Sequence, residues 1–225
     1  MLKFFAMELK SSAYLNYWKR KEILQETIPV PLLEYWPDAK NSPCERMIID
    51  DILAAQSILD YGAGDKKMAE LLVERKYSGK YFSQDIGDEF SYDYQHLSEI
   101  DEKFDIILLL DVIEHLDLES GLNLCHKLLH HLNKGGRLYI QTPNGRCIRN
   151  HLGSDMTHLQ LYNAKDLYAY FTSLGYSVFP YRVCFKWQSW SLKNKLYHLL
   201  GNFIITRLLG LDYADNILIK ISKKV

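Results

Sequence analysis

The chain has 225 residues and a mass of 26.4 kDa, a size that one α/β unit can reach. Apolar residues make up 48% and charged residues 24%, near the soluble-globular average, which excludes a disordered or fibrous protein. A net charge of −1 argues against a dedicated nucleic-acid binder, which needs surplus Lys and Arg to displace counterions. The balance is uneven, because residues 186–225 hold seven Lys or Arg against Asp212 and Asp215. Cys44, Cys125, Cys147 and Cys184 show no CxxC spacing, which reads as reduced thiols in the cytosol. Glu8 and Lys10 cut the initial apolar run below signal-peptide length, and no apolar stretch is long enough to span a bilayer. A cytoplasmic location is the expectation.

Residues 1–28 read as helical, with Phe4, Phe5, Tyr14, Leu15, Trp18, Ile23 and Leu24 scattered among charges. The next stretch, carrying Pro29, Pro31 and Pro37, reads as extended. Ser42-Pro43-Cys44-Glu45 looks like a helix start, with Ser as cap, Pro in the first turn and Glu three residues on. That helix runs to about Ala54.

From Ser57 the pattern alternates between strand and helix. Ser57–Tyr61 is a short apolar strand that ends in glycines, Lys66–Lys76 is helical, and Lys80–Gln84 is strand-like. Phe104–Leu110 is nearly continuously apolar, as expected of a strand buried on both faces in a parallel sheet. Leu118, Leu122, Cys125, Leu129 and Leu132 mark one face of a helix. Asn133-Lys134-Gly135-Gly136 stops it, and Arg137–Gln141 is the next strand. Asp166–Leu174 reads as helix; Tyr176–Val183 and Asn216–Ser222 read as strands. The alternation implies a parallel sheet with helices on both sides, the doubly wound α/β class.

In such sheets ligands bind beyond the carboxyl ends of the strands, where strand order reverses. Here the first apolar strand ends Asp60-Tyr61-Gly62-Ala63-Gly64 and runs into a helix. The glycines permit a tight turn and close approach of backbone to a ligand. Asp85, at the end of the next strand, is placed to accept hydrogen bonds from ribose hydroxyls. A dinucleotide turn wants a third glycine where Lys67 stands, so a nicotinamide-dependent oxidoreductase is disfavoured.

The run SILDYGAGDKKMAELL resembles the first motif of class I S-adenosylmethionine (SAM) methyltransferases. FDIILLLDVIEHLDLESG resembles their fourth-strand motif, and LLHHLNKGGRLYIQTPN is similar to the fifth-strand segment of the ubiquinone-biosynthesis O-methyltransferase subgroup. With the strand that follows, these motifs span about residues 56–184. Lys66 departs from the pattern, standing where the family commonly has a third glycine. The stretch from Asp85 to Phe104 is short, so the helix after the second strand is expected to be reduced to a loop.

The resemblance implies a Rossmann-like seven-stranded sheet, mostly parallel with an antiparallel last strand. Residues 1–45 would form an N-terminal cover, and residues 46–225 the SAM-binding domain with a helical insertion at about 187–214. It further implies that Asp60, Gly62 and Gly64 hold the methionine end of SAM, that Asp85 and Ile86 lie at its ribose, and that Asp111 and Val112 lie across the cleft. Tyr94, His96 and Leu97 are candidates for an adenine wall, and Tyr35 and Trp36 for the acceptor pocket. Glu114, His115 and His158 are the expected catalytic groups, while His126, His130 and His131 read as solvated or packed helix residues.

If residues 111–115 form a helical turn, Asp111, Glu114 and His115 share one side, and His158 adds a second imidazole. Two carboxylates and two imidazoles are a divalent-metal set, resembling metal-assisted methyltransferases of the ubiquinone and small-RNA 2′-O-methyl classes. Equally, the Glu-His pair occurs in family members without a metal, where it shapes the pocket. The expected reaction is methylation of a hydroxyl on a small, sugar or lipid-like acceptor. A non-catalytic SAM-binding partner subunit and an RNA 2′-O-methyltransferase are the alternatives. Leu192, Leu196, Leu199, Phe203 and Leu208 form an apolar stripe flanked by Lys193, Lys195 and Arg207. It reads as core or dimer packing, or as an interfacial helix through which residues 187–211 touch a membrane.

Overall fold

The computed structural model describes residues 12–34, 43–147, 151–153, 155–184, 196 and 199–223. Along the described residues run α1 (Tyr17–Gln25), β1 (Leu32–Glu34), α2 (Pro43–Ala54), β2 (Ser57–Tyr61), α3 (Lys67–Glu74), β3 (Lys80–Gln84), β4 (Phe104–Leu110), α4 (Leu118–His130), β5 (Leu132–Pro143), α5 (Ala164–Ser173), β6 (Ser177–Cys184) and β7 (Asn216–Ser222). The strands lie in the order β1-β6-β7-β5-β4-β2-β3. All pair in parallel except β7, which runs antiparallel to β5 and β6. β2 is flanked by β3 on one side and β4 on the other, so strand order reverses between β2 and β4, the place where doubly wound sheets form a crevice beyond the strand ends.

Each face of the sheet owns alternate residues, and β4 shows why its sequence is so uniformly apolar. Ile107 and Leu109 face α4 and α5 in one core with Leu122, Leu129 and Phe171. Ile106 and Leu108 face the other way, onto Ile48 and Ile52 of α2 and Met68 and Leu72 of α3. With a period of two and helices on both sides, Ile106 to Leu109 have no solvent face, and the one polar residue of β4, Asp105, sits near its start, where it accepts from Gln56 N and Ser57 N.

Six strands coincide with segments expected from the sequence. The edge strand β1 comes from the proline-rich stretch expected to be a cover, and pairs with Arg182–Cys184. The helical face expected to reach Leu132 stops earlier. α4 ends at His130, and Leu132 pairs with Phe104 as the first residue of β5, because a buried strand partner outcompetes one more helical turn. Residues 85–103 contain only a 3-10 turn at Leu97–Glu99, matching the expected loss of a helix there.

The N-terminal segment is fastened to the helical layer. Asn16 Nδ2 and Lys19 Nζ donate to the Ser173 carbonyl at the end of α5, and Ser12 Oγ donates to Glu119. Tyr35 and Trp36, expected at the acceptor pocket, lie outside the described residues, as does the insertion's 185–195 stretch. No helix among the described residues is long and apolar enough to cross a membrane.

α2 is locked to the sheet by one carboxylate. Asp51 accepts from Tyr139 Oη of β5 and from Lys220 Nζ of β7 at 2.7 Å, and pairs with Arg137 at 2.6 Å. Although burial alone would raise it, these donors hold its carboxyl below the usual carboxylate range. Asp51→Ala is expected to destabilise the protein by about 1–3 kcal/mol, the cost of stranding these donors. The loss is complete above the ordinary carboxylate pKa and vanishes as pH falls through the lowered one, measurable by urea unfolding at pH 7 and pH 3.

Candidate active site

The turn after β2 is shaped by its glycines. Gly62 has φ +79°, and a Cβ there would sit 2.3 Å from Val112 Cγ2, so both handedness and space demand glycine. Gly62 N and Ala63 N donate to the Gln84 carbonyl at 2.8 and 2.9 Å. Gly64 (φ +48°) has no heavy atom within 4 Å of an added Cβ, and its α-carbon faces open space. Lys66, which stands where the resembling family has glycine, retains the left-handed backbone with φ 61°. Its side chain compensates by reaching the Ser91 carbonyl at 2.7 Å and lying over the Tyr92 ring.

Asp85 faces this turn from the end of β3. Its Oδ2 accepts from Gly64 N and its Oδ1 from Gly87 N, both at 2.9 Å. A carboxylate has about four lone-pair sites, so each oxygen keeps capacity for a ligand hydroxyl. Ile86 is 83% exposed beside it, an unburied apolar surface at the crevice. Tyr92 Oη donates to the Gly64 carbonyl at 2.7 Å, so the 85–94 loop arches over the turn. The residues suggested for an adenine wall also have partners within the fold. Tyr94 stacks on Phe82, Leu97 packs against the main core, and His96 caps the 3-10 turn.

Asp60 is buried beneath the turn and accepts from Tyr81 Oη at 2.7 Å. Burial pushes its carboxyl up to about 6, opposed by that hydrogen bond and assisted by Asp85 and Asp65. Tyr81 was invisible as a site residue in the sequence, since a strand tyrosine looks like packing.

Across the crevice, Asp111 follows β4 in a left-handed bend with φ 56°. Gln141 Nε2 donates to its Oδ2 at 2.6 Å and Asn216 Nδ2 approaches Oδ1 at 3.4 Å. The bend departs from the helical turn expected over 111–115, and only Ile113–His115 form a 3-10 turn. Glu114, His115 and His158 offer ligand atoms within 4.8 Å of one another, a set that does not include Asp111. The left-handed bend turns the Asp111 carboxylate toward Gln141, leaving three of the four suggested ligands together.

A polar relay orients that trio. Thr157 Oγ1 donates to Asp155 Oδ1 at 2.6 Å and lies 2.9 Å from His115 Nδ1. The hydroxyl has one proton and spends it on the carboxylate, so it accepts from Nδ1–H. In the neutral ring this network places the proton on Nδ1 and the lone pair on Nε2. The His115 and His158 rings meet edge to face at 4.9 Å. The Glu114 carbonyl accepts from Leu159 N at 2.7 Å and Gln160 N at 3.1 Å, pinning the 155–160 loop over the site. Thr157 and Gln141 were missed by sequence reasoning, having no motif to mark them. His126 instead bonds Tyr170 at 2.7 Å, and His131 approaches the Glu102 carbonyl at 3.0 Å, both structural uses.

Glu114 is 1% exposed and accepts from Thr142 Oγ1 at 2.9 Å. Burial, aided by the Asp111 charge, pushes its carboxyl from the ordinary 4.5 up to about 7. This cluster therefore carries a carboxyl group pushed up to about 7 and two imidazoles, a combination suited to proton transfer.

Residues 22–180 match the model of a family described as a methyltransferase domain. A SAM-dependent methyltransferase from Archaeoglobus fulgidus superposes with TM-score 0.60 at 18% identity, covering 80% of this chain and 91% of that one. A S-adenosylmethionine-dependent methyltransferase from Clostridium acetobutylicum ATCC 824 gives 0.52 at 12%, covering 81% and 89%. Coclaurine N-methyltransferase bound to N-methylheliamine and SAH also gives 0.52 at 12%, covering 91% and 78%. No curated protein matches the chain.

Two outcomes test the geometry. Gly62→Ala is expected to cost at least about 1–2 kcal/mol from the left-handed backbone alone, with the Val112 clash added, seen as a lowered urea midpoint. Glu114 makes the folded chain hold a proton that the unfolded chain releases between about pH 4.5 and 7. Stability therefore falls as pH rises through that window, by about 3 kcal/mol at most, and the penalty stays in full above it. Glu114→Gln should remove this slope and raise the unfolding temperature more at pH 8 than at pH 5.

Proposed function

We propose that this chain, which belongs to the class I S-adenosylmethionine-dependent methyltransferases, transfers a methyl group to a hydroxyl oxygen of a small or medium-sized acceptor. The family identity makes it an enzyme with SAM as its methyl donor. SAM supplies a methyl carbon already activated on a sulfonium, so the protein contributes geometry, electrostatics and a proton acceptor.

The residues of the β2 and β3 ends fit such a donor. Asp60, Gly62 and Gly64 hold its methionine end, Gly64 offering an α-carbon with open space in front of it. Asp85 takes the ribose hydroxyls on the spare capacity of its two oxygens, and Ile86 gives the neighbouring apolar surface. Asp111 and Val112 close the opposite wall.

The observation that carries the hydroxyl reading is the relay at His115, in which Thr157 and Asp155 commit Nδ1–H and leave Nε2 basic. His115 Nε2 takes the acceptor's hydroxyl proton as the oxygen forms its bond to the methyl carbon and the carbon–sulfur pair returns to sulfur. Glu114 and His158 orient the hydroxyl, and holding it in line is worth more than the proton transfer itself. Retention of all three groups argues against a non-catalytic partner subunit. The fifth-strand likeness to the ubiquinone O-methyltransferase subgroup favours a polyphenol, sugar or lipid-precursor acceptor. Exposed Leu199, Phe203 and Leu208 support a lipid-like one that reaches the enzyme at a membrane surface, while the near-neutral charge disfavours RNA.

A second reading rests on the meeting of Glu114, His115 and His158 within 4.8 Å. One carboxylate and two imidazoles suit a divalent transition ion, which would polarise an acceptor hydroxyl. A chelator distinguishes the two. Activity unchanged in EDTA supports His115 as the base, and activity lost in EDTA and restored by Mn²⁺ supports the ion.

Asp85→Ala is expected to abolish calorimetric binding of SAH; unchanged affinity would overturn the ribose placement. His115→Ala should lower kcat for methylation of hydroxyl acceptors by about 10²–10⁴ while leaving SAH affinity intact. Equal turnover in a tritiated-methyl assay across catechols and sugars would remove the base role.

A further inference from the structure

A second cavity, of about 490 Å³, opens beyond β5, β6 and β7, and it is basic. Arg146 after β5, Lys165 in the first turn of α5, Arg182 on β6 and Arg207 in the π-helical turn Phe203–Leu208 all line it. A single lining carboxylate, Asp212, stands against these four cations. It is already taken by Arg182, at 3.0 Å. Arg182 Nε also donates to the Val30 carbonyl at 3.1 Å, and Arg146 donates to the Gly210 carbonyl at 2.7 Å. The two guanidinium groups are thus held by backbone from other segments rather than left to swing.

Lys165 and Arg207 are exposed at the rim and make no ion pair among the described residues. Against the one carboxylate of Asp212, the four cations leave an excess of positive charge in the cavity, and their mutual repulsion is relieved when a further anion joins them. Guanidinium forks match the oxygens of a phosphate in particular. The volume lies in the range of small-molecule sites, so the phosphate has room for the body that carries it.

The cavity adjoins the acceptor side of the crevice. Thr142, which donates to Glu114, is two residues before Asn144, a lining residue, and four before Arg146. Gln160, whose amide donates to the Glu114 carbonyl, leads in the same way to Asn163 and Lys165. The two segments are tied together where Gly145 N donates to the Tyr162 carbonyl at 2.7 Å.

We infer that this cavity binds a phosphate group, and that the group belongs to the methyl acceptor. The inference rests on the methyl-transfer reading only for the identity of the carrier; the phosphate site stands on its own residues.

The test titrates inorganic phosphate into the full-length protein by calorimetry at constant ionic strength, for the native chain and for Lys165→Glu/Arg207→Glu, whose side chains are exposed. Saturable binding weakened at least tenfold in the double variant is expected, with SAH affinity equal in both. Loss of SAH binding from the native chain would instead sink the cofactor reading and leave the phosphate result intact. Co-sedimentation with phosphatidylglycerol vesicles identifies the source. Sedimentation that the double variant loses assigns the phosphate to a lipid headgroup, and phosphate binding without sedimentation assigns it to a soluble phosphoester. No saturable phosphate binding by the native chain, or binding that the double variant leaves unchanged, would overturn the proposal.

Discussion

The contact on which the site depends is the approach of the β2 turn to the β4 end, where Gly62 leaves no room for a side chain beside Val112. That closeness is possible because β2 and β4 are neighbours in the sheet although β3 separates them in sequence. The amides of Gly62 and Ala63 are then consumed by Gln84, and that of Gly64 by Asp85. The glycine-lined turn is therefore hydrogen-bonded to the β3 end and packed against the β4 end, so its shape is set before any ligand arrives.

Stability and chemistry pull in opposite directions across this crevice. Asp60 and Glu114 are carboxylates buried where burial raises their pKa to about 6 and about 7. Each lowers the stability of the folded state at neutral pH, and each is offset only in part, by Tyr81 or Thr142. The left-handed backbone at Lys66 and Asp111 adds conformational cost at the same rim. Such costs are carried by the two apolar cores that β4 divides between its faces, and they gather where groups must titrate or face a ligand.

The acceptor side extends further than the proton-transfer groups. The loop that brings Thr157 and His158 to His115 continues into the cap of α5, and from there into the wall of the basic cavity. One chain segment thus links the Glu114, His115 and His158 cluster to the basic cavity, which the proposed reading assigns to the two ends of one acceptor. On the proposed reading, binding energy from a remote phosphate is available to align a hydroxyl.

Much of this was legible in the sequence. Ser57–Tyr61 with its glycines and the largely apolar run of β4 determined the fold class, and the same turn with Asp85 at a strand end marked where a donor is proposed to bind, because periodicity, turn chemistry and a fixed strand–turn–helix spacing are local properties. The trio Glu114, His115 and His158 was also named, although 42 residues separate the histidine that bonds Thr157 from its partner. What the sequence left undecided needed atoms brought together over long separations. These were the turning of Asp111 onto Gln141, the tautomer set by Thr157, the pairing of Leu32–Glu34 with β6, and the gathering of Arg146, Lys165, Arg182 and Arg207. Only tertiary structure decides such matters, because a side chain's partner across a sheet or loop depends on register and backbone handedness, which no local pattern encodes.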